Sequence, residues 1–187
     1  YLYSEDVIKN GAAGVIGYAM PAYLQPEKNQ NSIQFKSIRL DEKNKGLGLM
    51  LSYAAKQKLD TALKRGVTKV KVNLQTKIYK ANELTLVAEL KGSKLADERF
   101  VFSAHVQEPG ANDNASGVGA LQEVAAASAR LLNDGKINPE RTITYLFGDE
   151  ISSTNRYIKE DSVRAKNIKW GMSLDMVGEN TAKTGGT

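Results

Sequence analysis

Apolar residues recurring every three or four positions, short apolar runs and single glycines divide the chain into helices and strands. Ser4 to Asn10 has helical spacing and meets Gly11, and Ala13-Gly14-Val15-Ile16-Gly17-Tyr18 follows as a compact strand, so the chain opens on a helix-to-strand unit. Residues 21 to 37, with Pro21, Pro26 and the polar run Glu27 to Asn31, read as a loop. Gly46 to Arg65 places Leu47, Leu51, Ala54, Ala55, Leu59, Ala62 and Leu63 at helical spacing and closes on Lys64, Arg65 and Gly66, which predicts an amphipathic helix. Val70, Val72 and Leu74 alternate with Lys69, Lys71 and Asn73, so Val67 to Leu74 is expected to be a half-exposed strand, with Leu84 to Leu90 another.

The later part of the chain changes character. Phe100 to Ala104 is an apolar run of strand length ending at His105, Thr142 to Phe147 is a second ending at Gly148-Asp149-Glu150, and Trp170 to Leu174 is a third ending at Asp175. Between the first two, residues 115 to 132 carry Val118, Leu121, Val124, Ala125, Leu131 and Leu132 on one stripe, starting after Asp113-Asn114 and closing at Gly135. Strands alternating with helices predict an α/β fold, a partial mixed or parallel sheet flanked by helices, and the apolar runs predict strands covered on both faces.

Composition narrows the chemistry. With 187 residues, 41% hydrophobic and 25% charged, the chain is a soluble globular type with room for one domain, or for a small module joined to part of a larger one. No apolar run approaches the ~20 residues of a membrane-spanning helix. The absence of Cys excludes a disulfide framework, thiolate zinc sites and a cysteine nucleophile, and the single His makes His105 the one imidazole for any triad or metal site. The net charge of +5 comes from lysines and arginines scattered over residues 27 to 100 with few aromatics between them, the pattern of a solvated face and not of a nucleic-acid partner. A start at Tyr1 without an initiator Met, and an end at Gly185-Gly186-Thr187 without a closing element, give the expectation of an internal fragment.

Each of the three apolar strands ends at its carboxyl edge in residues that can bind a metal or move a proton. Ligands bind at that edge in open α/β sheets, so His105, Asp113, Asp149, Glu150 and Asp175 are expected to converge there. One imidazole with several carboxylates suits a divalent cation, Zn²⁺ being the usual choice in a hydrolase, and a cation would offset the repulsion among the acids. Each residue also has an ordinary structural reading. A His at a strand end can be a hydrogen-bonded loop residue, an Asp before a helix an N-cap, and an Asp-Glu pair solvated surface.

Ala104-His105, Pro109-Gly110-Ala111-Asn112-Asp113-Asn114-Ala115-Ser116-Gly117, Gly148-Asp149-Glu150 and Ser173-Leu174-Asp175-Met176-Val177-Gly178 resemble, in order and spacing, the co-catalytic zinc aminopeptidases of the bacterial leucyl aminopeptidase type. The resemblance implies two zinc ions, with His105 on one, Asp175 on the other and Asp113 bridging them. It further implies that Asp149 is the general base, that Glu150 is a metal ligand and that the Asp113-Asn114 bond is cis. Lys9 to Tyr18 is similar to the later part of a protease-associated domain, a β-rich insert of these peptidases, whose usual exit the helix at 46 to 65 and the strand at 67 to 74 match. The implied organisation is residues 1–79 as the later part of that insert and 80–187 as the N-terminal portion of a catalytic domain. The implied function is exopeptidase action on a peptide or protein substrate in an extracytoplasmic location, periplasmic or secreted.

Three positions depart from the family pattern. Gln107, followed by Glu108, stands where an Asp usually orients the zinc-binding His. Asp149 replaces a Glu, which shortens the base by one methylene. The family's second His has no counterpart after His105 and is expected beyond Thr187, so this chain alone is expected to be inactive and to need the remainder of its parent. A non-catalytic peptide- or protein-binding homologue on the same scaffold is the alternative, with Gln107 and Asp149 as its signs.

Overall fold

The computed structural model describes residues 5–38, 46–77 and 79–184. Ser4 of the first helix, and both chain ends on which the fragment expectation rests, lie outside these residues. The described chain forms two compact units, one from the residues up to Thr76 together with those from Asn180 on, the other Lys77–Glu179.

In the first unit, α1 (Glu5–Lys9) leads through Gly11, at φ 86°, into β1 (Gly14–Gly17), which pairs in parallel with β2 (Leu47–Met50). A short 3-10 turn, Ala22–Leu24, interrupts the loop between them. The helix expected over 46 to 65 is therefore corrected: its first turn is β2, and α2 covers only Tyr53–Leu63. Leu47, Leu49 and Leu51 fit a strand as readily as Leu47, Leu51 and Ala54 fit a helix. The side chain of Ser52 decides, accepting a hydrogen bond from the Ala55 N–H and so fixing the N-cap of α2. The strand expected at Val67 to Leu74 is also corrected, since these residues are in no regular element and Val67 is 100% exposed. Alternation makes a strand only where a neighbour accepts its backbone hydrogen bonds, and no strand pairs with this stretch among the described residues. A short helix, α6, spans Thr181–Thr184.

The second unit is the predicted mixed α/β layer structure. Its strands β3 (Leu86–Leu90), β4 (Leu95–His105), β5 (Arg141–Gly148) and β6 (Ile168–Ser173) lie in the order β3-β5-β4-β6. β4, β5 and β6 are parallel and β3 is antiparallel to β5. α3 (Ala115–Asn133) connects β4 to β5, and α4 (Ser152–Lys159) with α5 (Ser162–Lys166) connects β5 to β6. Ala104, Tyr145 and Leu121 of α3 form one apolar cluster, while Val101, Leu146 and Tyr157 of α4 form another. Successive Tyr145 and Leu146 thus belong to opposite layers, the period-two consequence of a strand covered on both faces. Coverage of both faces holds for β4 and β5. It fails for the edge strands, where β3 is largely exposed and Trp170 of β6 is 53% exposed. Among the described residues no helix is long and apolar enough to cross a membrane.

Register places the carboxyl ends of the parallel strands together. His105 is level with Gly148, and Ser103 is level with Ser173, beyond which Leu174 N–H still donates to Ser103 O at 2.8 Å. Asp149 and Asp175 therefore leave the sheet beside His105.

Candidate metal centre

His105 closes β4 and is 7% exposed. Its Nε2 lies 3.3 Å from Asp113 Oδ1 and 3.3 Å from Asp175 Oδ1, and one donor atom of each residue lies within 4.8 Å of the others. Asp113 directly precedes Asn114, the N-cap of α3, through a cis peptide bond. Asp175 comes two residues after β6.

Hydrogen bonds around Gln107 call for a proton on Nδ1 of His105. Glu150 N–H donates to Gln107 Oε1 at 3.0 Å, so that atom is the amide oxygen, and it lies 3.2 Å from His105 Nδ1. The contact requires a proton on Nδ1. In the neutral ring Nε2 then offers a lone pair to two carboxylate oxygens, an arrangement of acceptors facing acceptors. Asp113 Oδ1 is moreover buried with no hydrogen-bond partner. Metal cations held among these atoms would take up their lone pairs, and the imidazole-carboxylate set fits zinc. Gln107 thus contacts the imidazole on the side where a carboxylate usually backs a metal-binding His. Gln107→Ala is expected to lower zinc affinity by ~10–100-fold; calorimetric titration checks it, and an unchanged affinity would remove Gln107 from the site.

Glu150 stands outside the three-donor group. It is exposed, its backbone holds Gln107, and with Asp149 and His105 it lines a cavity of about 40 Å³. That volume has room for water. Glu108 is a further acid at the site that spacing alone did not single out. A side-chain hydrogen bond with Asp113 holds its carboxyl above the ordinary range, with burial and the charges of Asp113 and Glu150 adding to the shift and His105 opposing it. Crowding among carboxyls is what a bound cation relieves.

Asp149 is held through its backbone. Its C=O accepts from Ser153 Oγ, and its N–H reaches Glu83 Oε1 at a long 3.5 Å. Glu83 also accepts from Thr85 Oγ1 at 2.8 Å and pairs with Arg156 of α4, which bonds Thr85 as well. Gly148 permits this packing, because a Cβ there would lie 2.6 Å from Ser153 Cβ. Nothing local marks Glu83, which lies far from Asp149 in sequence.

The Arg156 hydrogen bond, followed by that of Thr85, holds the Glu83 carboxyl below the ordinary carboxylate range. A depressed folded pKa adds stability that is complete above the unfolded value of ~4.3 and fades as pH falls through the lowered one. The melting temperatures of the parent and Glu83→Gln are therefore expected to differ by a constant amount at neutral pH and to converge below about pH 4. A gap unchanged at pH 3 would show that the charge of Glu83 is immaterial.

The profile of peptidase family M28 matches residues 85–184, more than half of the chain and the whole of the sheet from β3 to β6. No curated protein matches the chain.

Proposed function

Because the chain belongs to peptidase family M28, a family of metallopeptidases, we propose that it is a zinc-dependent exopeptidase of the leucyl aminopeptidase type, hydrolysing the peptide bond next to a free amino terminus. The observation that carries this reading is His105 Nε2 facing carboxylate oxygens of both Asp113 and Asp175 at 3.3 Å each. His105 and Asp175 would each hold one zinc, with Asp113 between the two and Glu150 completing the first. Zinc, when bound, supplies a Lewis acid that activates water and stabilises negative charge on the substrate carbonyl oxygen.

The chain's own residues supply the rest. Asp149, at the wall of the cavity beside His105, takes a proton from the attacking water and returns it to the leaving amine, so the reaction consumes one water and leaves the carboxylate as it began. Gln107 keeps the imidazole in the tautomer that presents Nε2. The α1–β1 unit and α2 support the further reading of residues 1–79 as the later part of a protease-associated domain, and an extracytoplasmic location goes with it.

The test uses the full-length protein with zinc. It should release the first residue from a peptide with a free amino terminus and leave the acetylated peptide intact, lose activity to a chelator and regain it with zinc. Zinc binding without release from either peptide would overturn the exopeptidase reading in favour of a binding protein. Cleavage of both peptides at the carboxyl end would overturn the aminopeptidase assignment.

A further inference from the structure

We infer that Asn114 is a positioning residue for Asp175, its side chain setting the separation at which Asp175 faces Asp113. The inference rests on the metal centre proposed above. Asn114 is 0% exposed, yet its amide is used at three points. Nδ2 donates to Leu174 O at 3.0 Å, and Oδ1 accepts from Met176 N at 3.2 Å and from Gly117 N at 3.1 Å.

Leu174 and Met176 are the two neighbours of Asp175, so one planar side chain is bonded to the peptide groups on either side of that residue. The third bond caps α3, the helix that follows Asp113. A single amide therefore joins the start of the helix beside one carboxylate to the loop that carries the other. Met176 is held there at φ 53°, a left-handed conformation rare outside glycine. Gly117 makes room for the tie, since a Cβ would lie 2.2 Å from Leu174 O and 2.3 Å from Asn114 Oδ1. Asn112 adds a second fastening two residues upstream, where its Oδ1 accepts from Gly178 N at 3.1 Å.

Helix capping alone does not call for this arrangement. An N-cap needs one acceptor, which Ser, Thr or Asp supplies as well as Asn. Donation to Leu174 O needs the amide N–H₂, and reaching both flanks of Asp175 needs its length. The tie also opposes the mutual repulsion of Asp113 and Asp175, which a cation offsets only once bound.

The test is zinc titration of the full-length Asn114→Ser protein by calorimetry. Ser keeps an acceptor for Gly117 N–H and is too short for Leu174 and Met176, so the far-ultraviolet helix signal should persist while zinc affinity falls ~10–100-fold. Asn114→Asp is the second variant, retaining size and both accepted bonds while losing donation to Leu174 O, and it serves if the Ser protein does not fold. The same substitution in an Asp175→Asn background separates positioning from general structure. There the further loss should shrink to within about twofold, because the group being positioned is gone. Unchanged affinity in a folded Asn114 variant, or an equal loss in both backgrounds, would overturn the inference while leaving the metal centre standing. A parent protein that takes up no zinc would overturn the metal centre and the inference together.

Discussion

Asp149→Asn in the full-length protein is expected to lower kcat by ~10²–10⁴-fold and to leave zinc affinity little changed. The two effects separate because Asp149 lies outside the His105, Asp113 and Asp175 donor group while lining the cavity beside it. Asn has the same shape, so the backbone fastenings to Ser153 and Glu83 should survive. What it loses is the ability to accept a proton. Steady-state kinetics on a free-amino-terminal peptide, alongside calorimetric zinc titration, measures both quantities. Near-normal turnover would remove Asp149 as the base and pass the role to Glu108, the acid hydrogen-bonded to Asp113.

His105→Ala should have the larger effect on metal. It removes the only imidazole in the chain and leaves Asp113, Asp175, Glu108 and Glu150 to repel one another around the vacated point. Loss of an outer partner costs ~10–100-fold in affinity, and loss of the nitrogen ligand itself should exceed that. Metal analysis after dialysis should find less zinc in the variant than in the parent. Undiminished zinc content would mean that the ion sits elsewhere and would sink the proposed centre.

The Lys77–Glu179 unit was legible because its strands are buried on both faces over β4 and β5, so their apolar runs stand out, and because α3 carries its signals locally, in Asn114 before it and Gly135 after it. Convergence of His105, Asp113 and Asp175 followed from parallel register, which brings strand ends to one edge whatever the distance along the chain. The peptidase resemblance at those residues agrees with the M28 match. Residues 46 to 74 were misread where two periods fit the same leucines and where alternation had no pairing strand. Glu83 could not be found at all, since its partners Arg156 and Asp149 come from other elements and leave no spacing to read. Gln107 was visible as a departure from the family pattern, but its double duty toward His105 and Glu150 depends on where the β5 loop crosses the β4 loop.

The exposed edge strand β6 carries the only tryptophan in the chain. Trp170 stacks near Phe100 with ring centroids 6.4 Å apart, and the Arg141 guanidinium lies 5.5 Å from its ring centroid. Its indole is half in solvent and half against β4, five residues before Asp175. Every photon of indole emission therefore originates in the Lys77–Glu179 unit and none in the residues before it. The protein has a built-in optical reporter for one of its two units, so a melt followed at the red edge of excitation tracks the peptidase sheet alone, while far-ultraviolet ellipticity records both.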